Sequence, residues 1–127
     1  MKILSIRQPW ARLIVSGSKN IENRTWSTRY RGALLIHASL NVNGRECRRY
    51  GLDPANLETG GVVGFAEIVD CVTKHKSKWF EGPVGFVLRR RKKLPFVAWK
   101  GTLGLRDAPK RLLRRLDLSA LRNYELE

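Results

Sequence analysis

In the stretch Ser5–Ser39, SIRQPWARLIVSGSKNIENRTWSTRYRGALLIHAS, a helix, an extended segment and a strong strand follow one another. Pro9 suits the first turn of a helix, where its missing N–H is no loss and its fixed φ helps. Trp10, Leu13 and Ile14 recur at i, i+3 and i+4, the apolar stripe of that helix. Gly17 ends it, because glycine enters the left-handed cap conformation without a Cβ penalty. Ile21–Trp26 reads as extended and Gly32–Ala38 (GALLIHA) as a strand.

Working outward, Lys2–Ile6 forms a short strand before the helix. Residues 41–58 are polar, with Asp53-Pro54 marking the cap and first turn of a short helix. Gly61–Val72 (GVVGFAEIVDCV) is the longest strand pattern, and its small residues Gly64 and Ala66 imply a bend or a close approach by another element. Gly85–Arg90 and Leu94–Trp99 read as strands flanking a charged hairpin tip, Arg89-Arg90-Arg91-Lys92-Lys93. Asp107 is placed to cap a final helix over 108–122, with Leu112, Leu113, Leu116 and Leu121 inward and Arg111, Arg114 and Arg115 outward. Short strands with a few helices between them predict one domain over 1–127, a small, mainly β barrel with helices packed on it.

A composition of 43% hydrophobic and 9% aromatic residues can bury a core and excludes a disordered tail. Twenty-five Lys and Arg against eleven Asp and Glu give a net charge of +14. Such a field attracts polyanions, and phosphate backbones are the commonest of these. Cys47 and Cys71 match no metal-ligand spacing, so neither a metal nor another cofactor is expected. The N-terminal apolar run is too short for a signal peptide, and no segment approaches the ~18 apolar residues of a membrane span. A cytoplasmic protein with two free thiols and no membrane partner is the expectation.

Lys19, Glu22 and Arg24 follow the Gly17 cap closely. On an extended segment Glu22 and Arg24 share one face, because side chains alternate. A Lys, a carboxylate and an Arg at one mouth can hold a phosphate and read a base edge. The same set also makes an ordinary surface salt-bridge cluster. Read as exposed, each tolerates Ala with little change in stability.

Gly17, Lys19, Glu22 and Arg24 also spell G-x-K-x-x-E-x-R. With Gln8-Pro9-Trp10, Tyr30-Arg31-Gly32, Ile36-His37-Ala38-Ser39, Gly61-Val62-Val63-Gly64, Trp79-Phe80-x-Gly82-Pro83 and Leu94-Pro95-Phe96, the chain resembles the ASCH family over about residues 3–105. The resemblance implies an α+β fold: a small PUA-like β-barrel of about five to six strands with two to four helices around it. It also implies a basic cleft beside the first helix and an RNA-related role. Within the wider family, some members are thought to bind RNA or DNA, some resemble amidohydrolases that deacylate N4-acylcytidines, and one kind is described as a ribonuclease.

Three functions follow from that resemblance. The first is a nucleic-acid-binding module, RNA ahead of DNA, with Lys19, Arg24 and peripheral cations on phosphates and a base in the cleft. The second is an amidohydrolase on N4-acetylcytidine or a similar modified nucleoside, with Lys19 as base or nucleophile, Glu22 or Glu81 moving a proton, and Asn23 or Arg24 anchoring substrate. Relatives of that kind suggest a threonine where Glu22 stands, so that nucleophile is absent, and Glu67 is a further candidate carboxylate. The third is a metal-independent ribonuclease using Lys19 with Tyr30 or Ser39. Trp10, Trp26, Trp79 and Phe80 offer faces on which a base can stack. Arg89, Arg90 and Arg91 read either as backbone contacts or as a solvated tip. His37, inside a strand, reads as a hydrogen-bonded interior residue, and His75 as solvated among lysines.

Overall fold

In the computed structural model, which describes residues 1–122, six strands form one mixed sheet. They are β1 (Lys2–Gln8), β2 (Ile21–Arg24), β3 (Gly32–Val42), β4 (Gly61–Val72), β5 (Val84–Ala98) and β6 (Arg106–Asp107). The order is β2-β5-β4-β3-β1-β6, with β1 parallel to β3 and every other pair antiparallel. A parallel pair needs a crossover. Here it holds α1 (Trp10–Val15) and β2. β2 and β6 remain edges, so the sheet is not closed into a hydrogen-bonded barrel.

Both faces of the central strands are covered. Along β3, Leu34 and Ile36 point into one core with Leu4, Ile14, Ile68 and Phe86, while Ala33 and Leu35 point into the other with Ile3, Phe65 and Leu94. That is why GALLIHA carries apolar residues on both faces rather than alternating with polar ones. α1 lies on the first face. The second is closed by Leu112 and Leu121 from the C-terminal segment.

Gly17 takes φ +91°, and the turn closes with Lys19 N–H donating to the Leu13 carbonyl at 2.9 Å, which aims Lys19 back toward the sheet. Asp53 caps a short 3-10 turn at Pro54–Asn56. A Cβ on Gly64 would collide with Val15 and the Lys92 carbonyl, so the close approach implied by that glycine is α1 lying on β4. His37 is interior, its ring between the Ser5 hydroxyl at 3.1 Å and the Trp99 carbonyl at 2.6 Å.

Three expectations are corrected. Residues 84–98 are one bent strand, not two strands around a tip. Arg90 at φ 53° and shifts in register against β4 absorb the bend. The helix expected over 108–122 is one turn, α3 (Lys110–Leu113), followed by a 3-10 turn at Ser119–Leu121, although Leu112 and Leu121 do face inward. The polar stretch 41–58 holds an additional helix, α2 (Gly44–Arg49), capped by the Asn43 side chain. The last five residues of the expected domain, 123–127, lie outside the described residues. No helix among the described residues is long and apolar enough to cross a membrane, and Cys47 and Cys71 are free.

Candidate functional site

A cleft of about 550 Å³ opens between β1, the start of α1, β2, α2 and the 79–82 loop. Its volume lies in the ~300–1,000 Å³ range of small-molecule sites. Gly17 and the β2–β5 pairing place its inner residues: Glu22 lies opposite Phe86 and Arg24 opposite Val84. Glu22 sits between two cations, 3.8 Å from Lys19 Nζ and 3.0 Å from Arg24 Nε. Arg24 Nη2 also donates to the Ser5 carbonyl at 2.8 Å, and Lys19 Nζ donates to the Ile21 carbonyl.

This is not an exposed cluster. Lys19 and Glu22 are only 4% and 6% exposed. Burial pushes the Lys19 ammonium below its ordinary pKa, against the pull of Glu22 and Glu81 and with a small push from Arg24. The Trp10 ring covers Lys19 at 5.7 Å.

Aromatic rings form the walls. Trp26 packs edge-on against Phe86 at 5.3 Å and lies 5.9 Å from the Arg24 guanidinium. Trp10, Tyr50 and Trp79 form a chain, with centroids 5.8 Å and 5.4 Å apart. Arg49 and Lys78 lie over Tyr50 and Trp79. Tyr50 went unseen in the sequence because it caps the end of α2, a helix that the polar stretch 41–58 did not signal beyond Asp53-Pro54. The lining has three cations, Arg7, Lys19 and Arg24, against three carboxylates, Glu22, Glu46 and Glu81. The cleft itself is therefore balanced, and the excess positive charge lies outside it.

The ASCH domain family matches residues 4–104. The chain belongs to this family. It is 32% identical to human Activating signal cointegrator 1 over 59% of this chain, and 32% identical to the mouse protein of that name over 56%. The matched region is only 15% and 14% of those proteins' length. Among solved structures, ASCH from Zymomonas mobilis aligns over 91% of this chain and 95% of its own at TM-score 0.59 and 17% identity. A point variant of it covers 91% and 96% at TM-score 0.61, also at 17% identity. The shared architecture is the small α+β, PUA-like fold.

Within this ASCH domain, Trp10, Lys19, Glu22, Asn23, Arg24, Trp26, Trp79 and Glu81 do meet at one cleft. Asn23 is there as a strut, not as an open anchor. Its amide donates to the Trp79 carbonyl at 2.9 Å and accepts from the Glu81 and Gly82 N–H groups at 2.9 and 3.1 Å. Phe80 turns away and lies against Gly82 and Gly85. Arg89 and Arg90 reach Glu67 at 2.8 and 3.8 Å, and Arg91 donates to the Gly17 carbonyl at 3.0 Å. None of the three lines the cleft, and Glu67 is thereby taken out of the proton-transfer set. The ribonuclease constellation is not assembled. Tyr30 donates to the Ala33 carbonyl beside a different depression, and Ser39 lines a third.

Proposed function

We infer that this ASCH domain binds RNA by taking one unpaired base into the cleft between Trp10, Trp26 and Trp79 while Arg7 and Arg24 at its edge and the cations around it meet the phosphates. The observation behind this reading is the charge-balanced, aromatic-walled cleft in a chain of net charge +14. An aromatic cleft with both carboxylates and cations suits a base, whose edge carries donors and acceptors together. Single-stranded RNA offers bases in this splayed form, whereas duplex RNA hides them. Lys19 and Glu22 fix each other deep in the cleft, leaving Arg24, Arg7 and the rim cations as the groups for phosphate.

Titration with short single-stranded and duplex RNAs tests this. Single strands should bind more tightly, and Trp79→Ala should weaken them by ~1–3 kcal/mol, the value of one stacked base. A variant that binds like the wild type would remove Trp79 from the site.

One observation favours a second reading: burial disfavours the Lys19 ammonium, with two carboxylates close by. A Lys that loses its proton more readily can serve as base or nucleophile in an amidohydrolase acting on N4-acylcytidine. Against this, Lys19 already donates to the Ile21 carbonyl and faces Glu22. N4-Acetylcytidine left intact at high protein concentration would dismiss that substrate.

A further inference from the structure

A second groove, of about 650 Å³, runs from the first cleft toward the 99–104 segment. Ser5, Arg7 and Arg24 line both. Beyond them the walls turn apolar, with Trp99, Leu40 and Leu103. Leu40 and Leu103 are 80% and 86% exposed, the two most exposed large hydrophobic residues in the described part of the chain. Exposed apolar side chains that cluster at a groove mark binding surfaces more often than chance exposure does.

The groove is shaped by short-range constraints and not by loose packing. Ser5 Oγ accepts from the Thr102 N–H at 3.3 Å, and His37 bonds the Trp99 carbonyl, so the 99–102 backbone is tied to β1 and β3. Because the Trp99 carbonyl can only accept, His37 Nε2 carries a proton. In the neutral ring Nδ1 is then an acceptor, and the Ser5 hydroxyl donates to it. A Cβ on Gly101 would press on both Ser5 and His37, so glycine allows the segment to lie this close.

Extending the reading of the first cleft as a base site, we propose that the second groove takes the neighbouring base of the same strand, with the linking phosphate at Arg7 and Arg24. The order of chemistry along the surface is what a dinucleotide presents: a flat base, an anion, another flat base. Arg24 is held by Glu22 and the Ser5 carbonyl, so its guanidinium is fixed at the junction before ligand arrives. A fixed guanidinium can meet a phosphate at two oxygens. Leu40, Leu103 and Trp99 supply apolar contact to any base, while Ser39, Asn41 and Lys100 on the same lining are the groups that would set a preference among bases.

The test compares nucleoside 3′- and 5′-monophosphates, each capped as its methyl phosphodiester, with the corresponding dinucleoside monophosphates by calorimetry. The capped mononucleotide supplies the first base and the same singly charged diester, so the dinucleotide adds only the second nucleoside. The dinucleotide should bind roughly 5- to 150-fold more tightly, the gain expected for covering one more base. Leu40→Ser with Leu103→Ser should remove that gain and leave mononucleotide affinity and the melting temperature unchanged, since both side chains are exposed. Equal affinity for the two ligands, or a gain that survives the double substitution, overturns the second subsite while the first-cleft reading stands. If neither ligand binds, both readings fall together. Binding of an apolar peptide with no dinucleotide gain would reassign the groove to a protein partner and also overturn the proposal.

Discussion

At the scale of single residues, the Lys19–Glu22–Arg24 set shows both the reach and the limit of sequence. Alternation along β2 was enough to put Glu22 and Arg24 on one face, and they meet at 3.0 Å. Their depth was not legible, because it depends on Trp10 covering Lys19 and on the turn after Gly17 folding Lys19 inward. The stability expectation therefore reverses. Glu22→Ala leaves a buried ammonium without its carboxylate and should cost ~3–5 kcal/mol in urea melts, the penalty for breaking a buried pair from one side. A loss under ~1 kcal/mol would show that water reaches Lys19. The pH dependence of stability gives a second expectation. The folded pKa of Lys19 lies below its ordinary value of 10.5, so between the two the unfolded chain binds more protons. Stability then rises with pH across that window. The cost of burying the ammonium is fully present below the folded pKa and has vanished above 10.5. Lys19→Met lacks this rise, so the difference in unfolding free energy between wild type and variant should grow in favour of wild type from neutral pH toward 10.5. Parallel curves would contradict the lowered pKa.

At the scale of elements, local signals worked where one segment decides its own shape. The Gly17 end of α1, the Asp53 cap and GALLIHA form as read, while Pro9, read as part of the first turn, stands one position earlier as the N-cap. Reading failed where a distant partner decides. Five consecutive cations look like a solvated tip, yet Glu67 on the neighbouring strand holds Arg89 and Arg90 within a continuous β5. Likewise, nothing local indicates that Asn23 supports the 79–82 loop, since its three partners lie 56 to 59 residues away. That strut makes a distinctive prediction. Asn23→Ala should raise hydrogen exchange at Glu81 and Gly82 and weaken RNA binding through Trp79, although Asn23 need not touch RNA. Asn23→Asp keeps the two accepting interactions but loses the donor to the Trp79 carbonyl, so it should protect the two amides and still misplace Trp79. Unchanged exchange in the Ala variant would show that the loop holds itself.

At the scale of the whole molecule, the +14 charge was the plainest signal in the sequence, and its location was the least legible part. The cleft lining balances, while Arg45 and Arg48, exposed, and Arg49 sit on α2, and Lys74, Lys76 and Lys78 lie on the exposed loop before Trp79. A base in the cleft would thus be flanked by cations on two sides. Each phosphate that these cations neutralise releases counterions, and for single strands the slope of log affinity against log salt changes by ~0.7 per phosphate. A long RNA should therefore show a steep slope and a dinucleotide a shallow one on the same protein. Arg48→Ala and Lys78→Ala should each reduce the long-RNA slope by about 0.7, leaving the dinucleotide slope alone. Arg89→Ala should change neither, because Arg89 pairs with Glu67 outside the cleft. If Arg89→Ala lowers the slope as much as Lys78→Ala does, the RNA path crosses β5 and the rim assignment is wrong. A long-RNA slope as shallow as that of the dinucleotide would mean that the surrounding cations do not follow the strand at all, and that the field serves encounter rather than the bound state.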